Sequence, residues 1–243
     1  TDGVNTPDAV FPNNWVSFHH DGRVILYPMM APSRRRERRM EFIDALQSQY
    51  QYQVTEVIDL SHYESQHQFL EGTGSLVIDY LHGVIYANQS ARTHKELVVK
   101  AASLLGCSSC IFQAVDATGQ DIYHTNVLMC IGDLFAVLCL GAVKNPDERK
   151  QLEASLKANG QEIIDITVDQ MHHFAGNMMQ LQNSQGDSIL AMSENAYCSL
   201  TENQRRILSG YANLVHAPID TIEKYGGGSV RCMLAGIFLP RHS

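Results

Sequence analysis

The feature that most constrains the fold of this chain is a unit that recurs four times along it. Each copy opens on a polar residue or glycine, runs through a short apolar strand, a turn and a second strand, and ends where a helix begins. The copies occupy residues 13–43, 72–105, 124–156 and 176–208. The residues that open the first strands are Asn14, Gly74, Asn126 and Asn177, at successive separations of 60, 52 and 51 residues.

Turn and capping residues punctuate these units. The predicted hairpin turns lie at Asp21-Gly22, His82-Gly83, Gly132-Asp133 and Gln185-Gly186-Asp187. The predicted helix starts are Pro32-Ser33, Ser90, Asn145-Pro146 and Thr201. Thr201 is followed three residues later by Gln204, which is the pattern of a capping box.

A further strand follows each unit, so that each unit reads ββαβ. The candidates are residues 52–60, 109–115 and 162–168, with the C-terminal run 230–239 as another. One small unit cannot bury both its sheet and its helix, so we expect units arranged about a common axis with helices outside. Hairpins followed by helices also occur in ordinary α+β domains. We expect residues 1–243 to form one domain.

Composition excludes several functional classes. The net charge is −8, which disfavours nucleic acid as the main partner. The longest apolar run, residues 134–143, suits a buried strand and is too short to span a membrane. Six cysteines are scattered through a chain too large to need a disulfide framework, which favours reduced thiols in the cytoplasm. The chain opens without methionine or a signal-peptide pattern.

Two further motifs leave their role open. The basic run "RRRERR" at 34–39 fits a solvated helix face, an anion site that uses one arginine, or a localisation signal. "CSSC" at 107–110 has metal-ligand spacing but lacks a second ligand pair, so we expect no metal site. A pair of buried thiols at a helix-to-strand turn is the preferred interpretation.

Polar residues recur at the edges of the repeated strands. They are Asn13, Asn14, Glu71, His124, Asn126, Asn177 and, after three glycines, Cys232. A thiolate is a nucleophile, an imidazole beside it can donate a proton to a leaving group, and a carboxylate can orient that imidazole. Each residue also has an ordinary structural explanation, and the glycines at 226–228 fit either a mobile gate or a plain loop.

The ordered segments "TPDAVFPNNWVSFH", "EGTGSLVID", "QSARTHKELV", "YHTNVLMCIG" and "GGGSVRCMLAGIFLP" resemble the pentein, or guanidine-modifying, superfamily. The resemblance covers essentially the whole chain and is strongest to the amidinotransferase-like citrulline-utilisation hydrolases of bacteria. It implies an α/β propeller of five ββαβ modules about a pseudo-fivefold axis. About four modules are visible, so we expect part of the first module to lie upstream of Thr1.

The resemblance also implies the site. Cys232 matches the family's nucleophile, His124 its general acid/base, and Glu71 its histidine-orienting and substrate-binding carboxylate. Arg92 matches the arginine that binds a substrate carboxylate, although a surface arginine at a helix start is an alternative. The implied chemistry needs no cofactor. The implied ligand is a small amino acid, and a homodimer is left open.

Two asparagines depart from the family pattern. Asn14 and Asn126 stand where enzymes that bind a cationic guanidinium carry aspartate. An amide offers a donor and an acceptor without charge, so the departure favours a neutral ureido group. We therefore expect hydrolysis of citrulline to ornithine, ammonia and carbon dioxide. The alternatives are an arginine deiminase, a dimethylarginine hydrolase, an amidinotransferase, or a catalytically silent binding module on the same scaffold.

Overall fold

The computed structural model describes residues 6–241, which form four three-stranded sheets. In every sheet the first two strands are antiparallel and the third is parallel to the second. The strands are β1 (Val16–Phe18), β2 (Arg23–Leu26), β3 (Glu56–Asp59), β4 (Val77–Asp79), β5 (Val84–Asn88), β6 (Ser108–Phe112), β7 (Met129–Ile131), β8 (Phe135–Leu138), β9 (Glu162–Asp165), β10 (Met179–Gln182), β11 (Ser188–Ser193) and β12 (Asn213–Ala217). Each of the four predicted repeats is therefore present as one sheet.

Helices provide the crossovers that parallel pairing of the second and third strands requires. The helices are α1 (Pro32–Arg35), α2 (Met40–Ser48), α3 (Gly72–Ser75), α4 (Lys95–Leu105), α5 (Thr125–Leu128), α6 (Pro146–Ala158), α7 (Val168–His172), α8 (Glu194–Ser199), α9 (Glu202–Ser209) and α10 (Asp220–Gly226). The crossovers are α1 with α2, then α4, then α6, and finally α8 with α9. Short 3-10 helices span Pro12–Asn14, Ser61–Gln66, Leu140–Ala142 and Val230–Met233.

Two of the predicted helix starts are confirmed by their capping contacts. The side chain of Asn145 accepts a hydrogen bond from the Asp147 amide at 2.9 Å and caps α6. Thr201 and Gln204 bond each other's backbone amides at 3.2 and 2.8 Å, which is the predicted capping box of α9. These contacts satisfy amides that the first helical turn leaves without a partner.

The predicted helix start at Ser90 is wrong. The helix begins five residues later, at Lys95. Between them, the backbone amides and carbonyls of Ser90 and Thr93 bond each other at 3.1 and 3.3 Å. This reciprocal pair holds residues 90–93 in a tight turn, so the chain cannot yet be helical.

The basic run is not a solvated helix face, and it interrupts the helix expected from Pro32. Arg34 is buried and donates two hydrogen bonds of 2.9 Å to Glu37. Arg35 and Arg38 both pair with Glu64, at 3.2 and 2.5 Å. These side chains pair with the buried Glu37 and the partly buried Glu64, and the helix is interrupted here: α1 ends at Arg35 and α2 begins at Met40.

The C-terminal run 230–239 is not the predicted strand. It begins with the 3-10 helix Val230–Met233 and afterwards makes one isolated parallel bridge, between Phe18 and Ile237. The backbone amide of Arg231 is bound by the Asn177 side chain at 2.9 Å, so it is not available for strand pairing.

In each of the first three units, a helical turn precedes the first strand, and these three turns lie side by side. The 3-10 helix Pro12–Asn14 contacts α3, where the Thr73 hydroxyl donates to the Asn13 carbonyl at 3.3 Å. Helix α3 in turn contacts α5, where the Thr125 hydroxyl donates to the Ser75 carbonyl at 2.5 Å. The helical turns that begin the first three units are therefore in direct contact.

The fourth unit and the C-terminal segment close this arrangement into a ring. Nδ2 of Asn177 donates to the Asn126 carbonyl at 2.6 Å, and its Oδ1 accepts the Arg231 amide at 2.9 Å. The 3-10 helix Val230–Met233 then packs against Pro12–Asn14. The units thus surround one axis, and the polar residues at their strand edges face a common centre.

Apolar side chains from the sheets and helices form the buried core around this ring. Its largest fully buried members include Tyr27, Tyr86, Phe112 and Phe135. Within residues 6–241, no helix has the length and apolar character needed to cross a membrane.

Candidate active site

Glu71 is a fully buried carboxylate at the start of α3. One oxygen accepts the Met30 amide at 3.0 Å, and the other accepts His124 Nε2 at 2.8 Å and Arg92 Nη1 at 3.3 Å. Gly72 permits this placement, because it has a φ of +46° and a Cβ there would come 2.4 Å from the Asn13 carbonyl oxygen. Hydrogen bonds to both oxygens therefore fix the position of the carboxylate.

The pKa values of Glu71 and His124 follow from this contact. Burial alone would raise the pKa of Glu71, but the hydrogen bond and charge of His124, together with Arg92, lower it to about 2. Burial lowers the pKa of His124 against the opposing effect of Glu71. Since an ionised carboxylate only accepts hydrogen bonds, Nε2 of His124 carries a proton and Nδ1 of the neutral ring is free to act as a base.

Cys232 lies in the 3-10 helix Val230–Met233 with its side chain buried. Two amide groups donate to its sulfur, Asn126 Nδ2 at 3.4 Å and Asn177 Nδ2 at 3.3 Å. In the described part of the chain, no hydrogen bond joins Cys232 directly to His124. The link between them is short, because Asn126 lies two residues after His124 on the same turn.

Asn14 and His124 face the same glycine. A Cβ on Gly74 would come 2.8 Å from Nδ1 of His124 and 3.1 Å from Oδ1 of Asn14. Among residues 6–241, Oδ1 of Asn14 and both side-chain polar atoms of the neighbouring Asn13 are buried without a hydrogen-bond partner. Buried amide groups of this kind lack partners that a polar ligand could supply.

Arg92 lies at the edge of the site, in the turn between Ser90 and Thr93. Its guanidinium contacts Glu71 and stacks over the Tyr123 ring, with 5.4 Å between the guanidinium carbon and the ring centroid. Its side chain is 31% exposed, whereas that of Glu71 is fully buried. Arg92 is therefore a partly exposed charged group at the edge of the site.

Tyr123 connects this edge to the glycines at 226–228. Its hydroxyl donates to the Gly227 carbonyl oxygen. Phe11 packs beside the same segment, and a Cβ on Gly226 or Gly228 would come within 2.8 or 2.9 Å of the Phe11 ring. The segment that leads to Cys232 is thus held by one aromatic hydroxyl and one aromatic ring.

The structure brings most of the site residues predicted from the sequence together. Glu71, His124 and Arg92 are in direct contact, and Asn126 contacts Cys232. Asn14 and His124 both lie next to Gly74. Asn177 was recognised in the sequence as a strand-edge polar residue but was given no role in the predicted site, and Tyr123 was not recognised. Within residues 6–241, no group of three or more His, Cys, Asp or Glu side chains could hold a metal ion.

Comparison with known proteins assigns this architecture. The family model "N,N dimethylarginine dimethylhydrolase, eukaryotic" matches residues 1–239. The chain belongs to this family. The predicted pentein, amidinotransferase-like superfamily is thereby confirmed, and with it membership of a family of hydrolases that act on C–N bonds. No curated protein gives a significant sequence match.

Solved structures share the dimethylarginine dimethylhydrolase fold. ArgZ, an arginine dihydrolase from the ornithine-ammonia cycle in cyanobacteria, has a TM-score of 0.72 at 17% identity, over 97% of this chain and 33% of ArgZ. AgrE in complex with ornithine and NAD+ has a TM-score of 0.75 at 18% identity, over 98% of this chain and 31% of AgrE. A dimethylarginine dimethylaminohydrolase has a TM-score of 0.61 at 16% identity, over 94% of this chain and 78% of that one.

These likenesses confirm the predicted α/β propeller. The chain spans about a third of the length of ArgZ and AgrE.

Proposed function

We propose that this member of the family hydrolyses the ureido C–N bond of citrulline, giving ornithine, ammonia and carbon dioxide. The observation that carries the proposal is the amide environment of the Cys232 sulfur. Asn126 and Asn177 both donate to it, and neither carries charge. A ureido group needs donors for its oxygen and acceptors for its nitrogens, and asparagine side chains supply both.

Charge balance around Glu71 supports a neutral reacting group. Arg92 and His124 already contact this carboxylate, at 3.3 and 2.8 Å. A guanidinium that entered the site would lose its hydration and would need an unpaired anion in exchange. A ureido group has no such requirement, so its desolvation costs less.

The first chemical step joins the sulfur to the ureido carbon. The Cys232 thiolate attacks that carbon, and the bond from carbon to the terminal nitrogen breaks. Nδ1 of the neutral His124 accepts the proton of the Cys232 thiol as the thiolate forms. His124 then delivers this proton to the terminal nitrogen, which leaves as ammonia. The enzyme then carries an alkylated thiocarbamate on Cys232.

The second step releases the product. His124 accepts a proton from water at Nδ1, and the resulting hydroxide attacks the thiocarbamate carbon. The carbon–sulfur bond breaks and regenerates Cys232, while the released carbamate loses carbon dioxide to give ornithine. Water is consumed once for each citrulline, and no oxidant or reductant is needed.

The remaining predicted site residues take binding roles in this proposal. Asn14 and Asn126 hold the ureido group, Glu71 contacts its nitrogens, and Arg92 exchanges part of its contact with Glu71 for the substrate α-carboxylate. A planar guanidinium suits that exchange because it binds a carboxylate through two parallel hydrogen bonds.

Methylated arginine is the second candidate substrate, and the family match favours it. The same nucleophile would then attack a guanidinium carbon and release dimethylamine.

We also propose a cytoplasmic location, which is supported by the free state of all six cysteines.

A panel of substrates tests the proposal. Wild-type protein, Cys232→Ser and the control Cys198→Ser, which alters an exposed cysteine, are each incubated with citrulline, arginine and Nω,Nω-dimethylarginine. We expect wild type and Cys198→Ser to form ornithine from citrulline, and Cys232→Ser to form none. In the two active proteins, kcat/KM for citrulline should be at least about tenfold higher than for the other substrates. Dimethylamine release would establish the second candidate instead. Absence of all products would indicate a silent scaffold and refute both.

A further inference from the structure

A cavity of about 590 Å³ lies next to the ring, between the first strands of the four sheets. Its walls are strands β1, β4, β7 and β10 together with residues 235–238. Glu71, His124, Asn126 and Cys232 do not line it. The proposed reaction therefore gives this cavity no role, although its volume is in the range of small-molecule sites.

Arg231 places a positive charge in this cavity. Its Nη1 donates to the Leu234 carbonyl at 2.9 Å, and no carboxylate of the described residues lies within 4.0 Å of its guanidinium. Burial lowers the pKa of Arg231, as expected for a cation that has lost much of its hydration. Such a group is stabilised by an anion that enters beside it.

The carboxylates that line the cavity already have partners. Asp79 accepts His82 Nδ1 at 2.9 Å and Gln161 Nε2 at 3.2 Å. Asp133 accepts Gln180 Nε2 at 3.0 Å. Neither bonds Arg231, so the cavity retains one guanidinium without a counter-charge in the described part of the chain.

Aromatic rings form part of the cavity wall. The rings of His20, Tyr80 and Phe238 lie together, with centroid separations of 5.5, 5.0 and 4.9 Å. Aromatic groups prefer to pack against other rings at separations of this size. The cavity thus combines an aromatic wall with one guanidinium that lacks an ion-pair partner among the described residues.

We propose that this cavity is a second small-molecule site, and that its ligand is an aromatic carboxylate. The carboxylate pairs with the Arg231 guanidinium, and the ring packs on His20, Tyr80 and Phe238. A guanidinium binds a carboxylate through two parallel hydrogen bonds, which fixes the orientation of the ligand. Neutral aromatic compounds lack this pairing and bind more weakly.

The second site is coupled to the nucleophile through the backbone. Arg231 directly precedes Cys232, and its amide donates to Asn177 Oδ1 at 2.9 Å. The same Asn177 donates to the Cys232 sulfur at 3.3 Å. A ligand that pairs with the Arg231 side chain in the cavity therefore acts on the residue next to Cys232, and through its amide on Asn177.

Calorimetric titration with benzoate tests this proposal. The 243-residue chain carrying Cys232→Ser is used, so that binding is measured without turnover and independently of the citrulline proposal. We expect benzoate to bind at least about tenfold more tightly than the neutral benzamide, a difference of about 1.4 kcal/mol. Adding Arg231→Gln should abolish this preference.

Two further variants locate the bound benzoate. Adding Phe238→Ala should weaken benzoate at least about threefold by removing one ring of the wall, and it replaces Arg231→Gln if that variant does not fold. Adding Arg92→Gln should leave benzoate binding unchanged. No benzoate binding, equal binding with Arg231→Gln or Phe238→Ala in place, or loss of binding with Arg92→Gln would each overturn the proposal.

Discussion

Asn177 bridges Arg231 and Cys232. Its Oδ1 accepts the Arg231 amide at 2.9 Å, and its Nδ2 lies 3.3 Å from the Cys232 sulfur. The same Nδ2 donates to the Asn126 carbonyl at 2.6 Å. One amide side chain therefore fixes the backbone before the nucleophile, supplies a donor to the sulfur and joins two units of the ring.

Asn177→Ala should weaken the nucleophile. A donor to the sulfur is lost, so we expect iodoacetamide to alkylate Cys232 about tenfold more slowly at pH 7, and kcat/KM to fall by at least that factor. Mass spectrometry of Cys232 peptides measures the first effect. Asn203→Ala, which removes an exposed asparagine that accepts from Arg206, is the control. Equal alkylation rates in Asn177→Ala and wild type would contradict the bridging role.

Asn14→Asp should change the preferred substrate. The substitution adds a carboxylate of nearly the same size beside His124 and Gly74, where the Asn14 oxygen is now without a partner. A new anion favours a guanidinium over a ureido group, so the ratio of kcat/KM for arginine to that for citrulline should rise at least about tenfold. Asn14→Ala separates this effect from loss of the amide. A ratio that does not rise would argue against charge as the basis of selectivity.

Glu71 should make folding stability depend on pH between about 4.5 and about 2. Its pKa is lowered in the folded state to about 2, so its ionised form stabilises the fold fully above the unfolded value and loses this effect as the pH falls. The contribution is on the order of 2 to 3 kcal/mol. Chemical denaturation of Glu71→Gln at several pH values should show a flatter profile in this window. Glu202→Gln, at an exposed position, should keep the wild-type slope.

The sequence predicted the parts of the fold that local chemistry determines. Hairpin turns and the caps at Asn145 and Thr201 depend on residues a few positions apart, and all of these lie where expected. The start at Ser90 was wrong because Thr93 offers its backbone a competing local pair. The strand expected at 230–239 was wrong because a distant asparagine binds the amide of Arg231.

In the candidate site, too, some residues could be predicted from the sequence and others could not. Cys232, His124 and Glu71 could be predicted because their residue types and neighbouring motifs resemble a known family. Asn177 shares the strand-edge position of Asn126, but its contact with the sulfur arises only when the ring closes. The inward turn of Arg34 depends on Glu37, and that of Arg35 and Arg38 depends on Glu64. Charge runs alone do not reveal such burial.

Tyr123→Phe should loosen the segment before Cys232. The substitution keeps the ring that stacks with Arg92 and removes the hydroxyl that donates to Gly227. We expect KM to rise about two- to fivefold with a smaller change in kcat, because the segment closes less firmly over the substrate. Limited proteolysis near residues 226–228 should become faster. The control is Tyr211→Phe, which removes the hydrogen bond that the Tyr211 hydroxyl donates to Glu162. Unchanged KM and proteolysis would mean that the contact does not hold the segment.

Gly74→Ala should separate positioning of the base from stability of the fold. The added Cβ would lie 2.8 Å from Nδ1 of His124, closer than such contacts allow, so the imidazole must shift. A displacement of about 1 Å at a reacting group costs on the order of a hundredfold in rate, and kcat should fall accordingly. Gly141→Ala meets no atom within 4 Å and should retain wild-type kcat. Thermal unfolding of both variants checks their stability. Because the clash is with a side chain, Gly74→Ala should remain folded, and wild-type kcat there would show that His124 does not act from this position.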